Sequence, residues 1–94
     1  MSPRIAAELR SLFGAALLMR AQHTDPATLE LSAALMASVH EAADRLLAQR
    51  GHVAAQRAIV AELPEPVRLV LCMWLLDLGL AAKLIQVASA GVCR

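Results

Sequence analysis

Ninety-four residues make one domain, of a size at which a single core covers only about 60–65% of the unfolded chain's surface, so self-association would be an economical remedy for marginal stability. Hydrophobic residues are 59% of the chain with one Phe, one Trp and no Tyr, so the core must be Ala, Leu, Val, Ile and Met, the composition of packed helices rather than of a sheet. Nine basic and eight acidic residues are interspersed without runs of either sign, which argues against nucleic acid as a direct ligand, because phosphate neutralisation needs clustered Lys and Arg.

Ser2 and Pro3 form an N-cap and first-turn pair, after which Ile5, Leu9, Leu12, Phe13, Ala16 and Leu17 recur at helical spacing. This predicts a first helix from about Pro3 to Arg20. The run from Gln22 to Pro26 repeats the signal, with Thr24 or Asp25 as cap and Pro26 at the first position of a long second helix that ends near Arg50 at Gly51. One of its faces carries Leu31, Leu35, Val39, Ala42 and Leu46, and the neighbouring one Leu29, Met36, Ala43 and Leu47. Val53 to Leu63 reads as a short helix, which Pro64 and Pro66 must break because each disfavours the α conformation in the residue before it. Pro66 then opens a last long helix through Val92, with Gly79 inside it.

That last segment is apolar on almost every side yet interrupted by Asp77. At about 100° per residue, Arg68, Gly79, Lys83 and Gln86 fall in one narrow stripe with Cys72 beside them. Val70, Met73, Trp74, Leu84 and Ile85 lie in the remaining arc, which is wider than one partner helix covers. Met73, Trp74, Asp77 and Leu84 are therefore the expected dimer interface. A carboxylate at Asp77 must find a partner or be neutralised. An Arg or His from another helix or subunit would serve, and a packing gap open to water is the alternative. Trp74 and Phe13 each admit two readings, core packing or an interface anchor.

Chemistry finds little support. The four glycines are isolated, so no phosphate-cradling loop exists, and His23, His40 and His52 lack helical metal-ligand spacing to another His or Cys. His40 and Asp44, four apart, suit a solvated contact. Ser32, Ser38 and Ser89 fall within helices without the strained elbow of a nucleophile. The expectation is no enzyme, no cofactor and no metal. Cys72 and Cys93 would lie roughly 30 Å apart on one helix, too far for a disulfide and consistent with a reducing cytoplasm. Arg4 and Arg10 before the apolar run Leu12 to Met19 raise a signal peptide, which Glu8, Arg20 and the missing cleavage site oppose. A membrane span would place Asp77 and Lys83 in lipid at about 2.5–3.5 kcal/mol each. The reading is cytoplasmic, without a membrane.

Several segments resemble the TraM-type antiactivators of quorum sensing, small all-α proteins that bind a LuxR-type transcription factor and stop it engaging DNA. Glu8 to Gly14, with Leu9, Arg10, Leu12 and Gly14, is similar to that family's Leu-Arg-x-Leu-x-Gly opening segment. Thr24-Asp25 with Thr28 and Ala33 resembles the start of its first long helix, and Glu41-x-Ala43-Asp44-x-Leu46 the end of it. The rhythm from Val67-Arg68 through Leu84-Ile85, with Gly91 beyond, is similar to its second long helix. The match covers most of the chain, although it needs one residue removed between Ala33 and Glu41 and a different length near residues 15–23.

The resemblance implies an all-α homodimer in which two long antiparallel helices per chain, with one or two shorter ones, form a bundle. It also implies capture of a LuxR-type regulator through the first helix, at Arg10 and Phe13, in the control of conjugal transfer. From the residues alone, a small oligomeric scaffold or a phage or secretion-system subunit fits equally well.

Overall fold

The computed structural model describes residues 3–78, with the backbone alone for Ile5, Asp77 and Leu78. The fold is all-helical: five α-helices and one 3-10 turn, with no strand among the described residues. In chain order the helices are α1 (Pro3–Phe13), α2 (Ala15–His23), α3 (Ala33–Ala48), α4 (Val53–Glu62) and α5 (Glu65–Leu78).

The predicted first helix is two. Gly14 adopts φ 91° and ψ 151°, a region closed to L side chains, and its N–H closes α1 on the Arg10 carbonyl at 2.8 Å while its own carbonyl accepts from Leu18 at 3.1 Å to open α2. The break lets two short apolar faces point in different directions. α1 packs on α4 and α2 on α5, which one straight helix could not do. Arg57 of α4 fastens the first arrangement, donating through Nε to the Ser11 carbonyl at 3.3 Å and through Nη2 to the Ser11 hydroxyl.

The predicted long second helix begins later than its cap signal suggests. Asp25 does cap, its Oδ1 accepting from Ala27 N at 3.0 Å, but the element it opens is a single 3-10 turn, Pro26–Thr28. Leu29 then turns extended, at φ −94° and ψ 142°, and Ser32 caps α3 by accepting from Leu35 N at 3.1 Å. α3 buries Val39, Ala42, Ala43 and Leu46, the stripe its periodicity marks. It ends as expected, with the Gln49 N–H shared between the Arg45 and Leu46 carbonyls and Gly51 at φ 82° reversing the chain. Gln56, the buried polar side chain of the core, ties α4 to this end through its Nε2, 3.1 Å from the Leu46 carbonyl.

α4 ends where Pro64 requires. Leu63 is extended at ψ 141°, and the Pro64 carbonyl accepts from Arg68 N at 3.0 Å, so α5 starts at Glu65, one residue before the predicted start. α5 is the hub, packed by α1, α2 and α3, and Val67, Leu69, Val70, Leu71, Cys72, Met73 and Leu75 are all buried. Within this stretch the chain itself covers the broad apolar arc, and no second copy is needed to explain it. The stripe marked as polar by the wheel also turns inward: Cys72 is fully buried, and half-buried Arg68 has its Nε shut from solvent without a hydrogen-bond partner. Residues 79–94, with Gly79, Lys83, Leu84, Gln86 and Cys93, lie outside the described residues, as does the Asp77 side chain.

Burial pushes the Cys72 thiol up from an ordinary 9.0 to about 11. Folding thus favours the protonated thiol, so this contribution is intact below pH 9 and is lost as pH rises toward 11. The urea midpoint of the wild type is expected to fall more steeply across that interval than that of Cys72→Ala, in a chain with no Tyr, where Cys93 and Lys83 are the other side chains that titrate there and both proteins share them. Parallel curves for the two proteins would count against a buried neutral thiol.

Candidate interaction site

The short helix break between α2 and α3 creates the most distinctive surface of the molecule. Thr24 donates its hydroxyl to the Arg20 carbonyl and Thr28 donates to the Asp25 carbonyl, so the connection is pinned at both ends of the 3-10 turn. The extended residues beyond the turn lay Leu29 and Leu31 across from Val70, Met73 and Trp74 of α5, with Pro26 and Met36 closing the sides. The cleft there has a volume of about 130 Å³ and is lined by apolar side chains throughout. Leu31 is an exposed large hydrophobic at 46%, and Trp74 is half-buried.

Leu29 and Val70 also line an adjoining cleft of about 270 Å³, whose far side is Leu35, Pro66 and Leu69. Its mouth carries charge. Arg20 and Glu65 form an exposed ion pair there beside Glu30. The Arg20 hydrogen bond, reinforced by its positive charge, holds the Glu65 carboxyl below its ordinary 4.5. Near the other end, the His40 imidazole lies against Trp74 with ring centroids 4.9 Å apart and planes tilted by 42°.

A third cleft, about 270 Å³, lies where α3 meets the α4–α5 connection and is more polar, with Ser38, Glu41, Arg45 and Glu62 at its edge. Arg45 and Glu62 pair there at 3.4 Å, and both are exposed, so the contact adds little to stability. Among the described residues no group of three His, Cys, Asp or Glu is placed to hold a metal ion. Nor is any helix among them long and apolar enough to cross a membrane.

The residues singled out from the sequence fall in different places. Arg10 is exposed in the last turn of α1. Phe13, one turn on, is 8% exposed and belongs to the core cluster, so it packs inside the chain. Neither lines the α2–α3 groove. Met73 and Trp74 do, Met73 mostly covered and Trp74 partly open. Leu29, Glu30 and Leu31 are hidden from sequence reasoning because the periodicity carries a helix through them; the one available signal is Ser32, a good N-cap residue in the middle of that expected helix. The chain matches no family model, no curated protein and no solved structure.

Proposed function

We propose that the chain is a non-enzymatic cytoplasmic antiactivator: a homodimer that sequesters a LuxR-type transcriptional regulator and blocks its DNA binding, thereby regulating quorum sensing and conjugal transfer. The observation that carries a binding role is the groove between the Pro26–Leu31 segment and α5. It offers apolar side chains and a half-open Trp74 instead of polar groups converging on a reaction centre. The regulator itself is supplied by the resemblance of Glu8–Gly14, Glu41–Leu46 and the α5 rhythm to TraM-type proteins. Dimerisation uses Met73 and Trp74 at the groove together with Asp77 and Leu84, and regulator capture uses the outer side of α1 around Arg10. Phe13 supports that surface from beneath.

Arg10→Ala separates capture from folding, because its side chain is exposed and such surface changes cost within about 0.5 kcal/mol. If Arg10 is desolvated against the regulator, its loss weakens binding by about 30-fold, equivalent to ~2 kcal/mol, while the thermal melt stays put. Binding of the LuxR-type regulator encoded in the same genome, measured by calorimetry for wild type and variant, checks this. Equal affinities with equal melts remove Arg10 from the surface. No binding by the wild type removes the antiactivator reading and leaves an oligomeric helical scaffold in its place.

A further inference from the structure

Between the 3-10 turn and α3 the chain runs extended and unbonded. Leu29 leaves the turn at φ −94° and ψ 142°, and Ser32 is extended again, at φ −68° and ψ 158°, before α3 begins. Glu30 and Leu31 between them are exposed, and among the described residues their backbone groups hydrogen-bond to nothing. We propose that Leu31–Ser32 is a processing site, the bond at which an endoprotease with an apolar specificity pocket nicks the folded chain, and that the two pieces stay together after the cut.

An endoprotease binds its substrate as an extended strand, pairing with free N–H and C=O groups on either side of the scissile bond, so helices and hydrogen-bonded turns cannot serve until they open. The other connections between the described helices fail on that ground. Gly14 is bonded through both its N–H and its carbonyl. At the α3–α4 turn the Arg50 N–H donates to the Leu47 carbonyl at 3.2 Å and the His52 N–H to the Gln49 carbonyl at 3.0 Å. Asp25 and Leu63 are extended, but Pro26 and Pro64 follow them, and a proline has no N–H and crowds the bond before it. At Leu31 the requirements converge. Its side chain is 46% exposed and large enough to fill an apolar slot of the kind chymotrypsin carries, and Ser32, Ala33 and Ala34 beyond it are exposed and small. Ala33 and Ala34 lie in the first turn of α3, and the end of a helix frays at little cost.

Hydrolysis adds one water across the bond, leaving a carboxylate on Leu31 and an ammonium on Ser32. The pieces remain joined because α1 packs on α4 and α5 and α2 packs on α5, so Leu9, Phe13, Leu18 and Ala21 of the first piece stay in a core shared with the second. What changes is the cleft. Its wall of Leu29 and Leu31 loses its tether to α3, and the new ammonium stands at the positive end of the α3 dipole, where it is disfavoured. Cutting thus opens the face of Trp74 without dismantling the fold.

Brief digestion of the full chain with chymotrypsin, and separately with subtilisin for its broad specificity, tests this by mass spectrometry, with cuts beyond Leu78 told apart by mass. Chymotrypsin should cut first after Leu31 and subtilisin first within residues 29–33, the pieces should co-elute on gel filtration, and the emission of Trp74, the only Trp, should move to the red. Leu31→Ala should slow chymotrypsin by about tenfold or more, because it empties the specificity pocket, and leave the subtilisin rate as it was, because the backbone is still presented. Corrected for the protease's own loss of activity, the rate at this bond should be nearly flat in urea well below the unfolding midpoint, since a local opening exposes little surface. A first cut elsewhere among residues 3–78, or a rate that climbs with urea as steeply as global unfolding, overturns the site. Equal slowing of both proteases by Leu31→Ala overturns it too. Pieces that separate on gel filtration, or a nicked complex with unchanged Trp74 emission, overturn the joined and opened product.

Discussion

Leu71→Ala is expected to destabilise the chain by about 2–5 kcal/mol, the range for emptying a fully enclosed leucine site. Leu71 has no exposed surface and lies in α5, the helix on which α1, α2 and α3 all pack. The cavity would therefore open where several elements meet, and relaxation of one of them cannot fill it. Native domains hold only about 5–15 kcal/mol in total. The substitution thus consumes a large part of what keeps the chain folded, and each kcal/mol is worth roughly 4–8 °C of melting temperature in a domain of this size. Urea titration followed by circular dichroism measures the loss, with Leu31→Ala as a surface comparison expected to change stability by about 0.5 kcal/mol or less. A Leu71→Ala protein that melts with the wild type would mean that α5 is not packed as described.

Gly14→Ala should cost about 1–3 kcal/mol through the backbone alone. A Cβ at this position would meet nothing within 4 Å, so sterics with neighbours play no part. The cost arises because φ 91° with ψ 151° is a conformation that L-alanine scarcely visits. Two responses are open to the variant: it holds the strain, or it straightens α1 into α2 and pulls α1 away from α4 and the Arg57–Ser11 contact. Both lower stability. Chemical synthesis of the chain with D-alanine at position 14 discriminates, since its positive φ is the D residue's own preference and only ψ lies at the margin of the extended region, so that much of the lost stability should return. A stabilising Gly14→Ala would show that one continuous helix is preferred.

Gly14 and the chain's other breakers illustrate where sequence reading succeeds and where it fails. Breakers with a local mechanism are legible. Gly51, the Pro64–Pro66 pair and the boundaries of α4 follow from φ preferences and the missing proline N–H, which act the same way in any context. Gly14 is different. A glycine tolerated inside a helix and a glycine at positive φ look alike in sequence, and the choice between them depends on whether α1 finds a better surface on α4 than in line with α2. Asp25-Pro26 is a true start signal that opens a 3-10 turn in place of an α-helix, because both helix types present the same free N–H groups to a capping carboxylate. Only the packing of Leu29 against α5 separates the two outcomes.

The site is legible in part for the same reason. Met73 and Trp74 stand out on a wheel because α5 is regular there, whereas the opposing wall of Leu29 and Leu31 has no period to read. The breadth of the α5 apolar arc points to a second chain, but a helix ringed by three others of its own chain needs the same breadth. Phe13 follows the aromatic readings only halfway. Its burial places it in the core, and Arg10 remains the exposed residue of that segment.

The position of α5 as hub also sets a clock for synthesis. The apolar faces of α1 and α2 are completed by a helix that begins about sixty residues after Pro3, at Glu65. At the ribosome's ~5–20 residues per second, the nascent chain waits about 3–12 s between starting α1 and starting α5, the main cover of α2. During that interval the segment from Leu9 to Leu18 is apolar surface without its native lid, available to chaperones or to a neighbouring nascent chain. Codon choice between positions 24 and 64, which governs only how long that wait lasts, should therefore influence the yield of folded protein without changing a single residue.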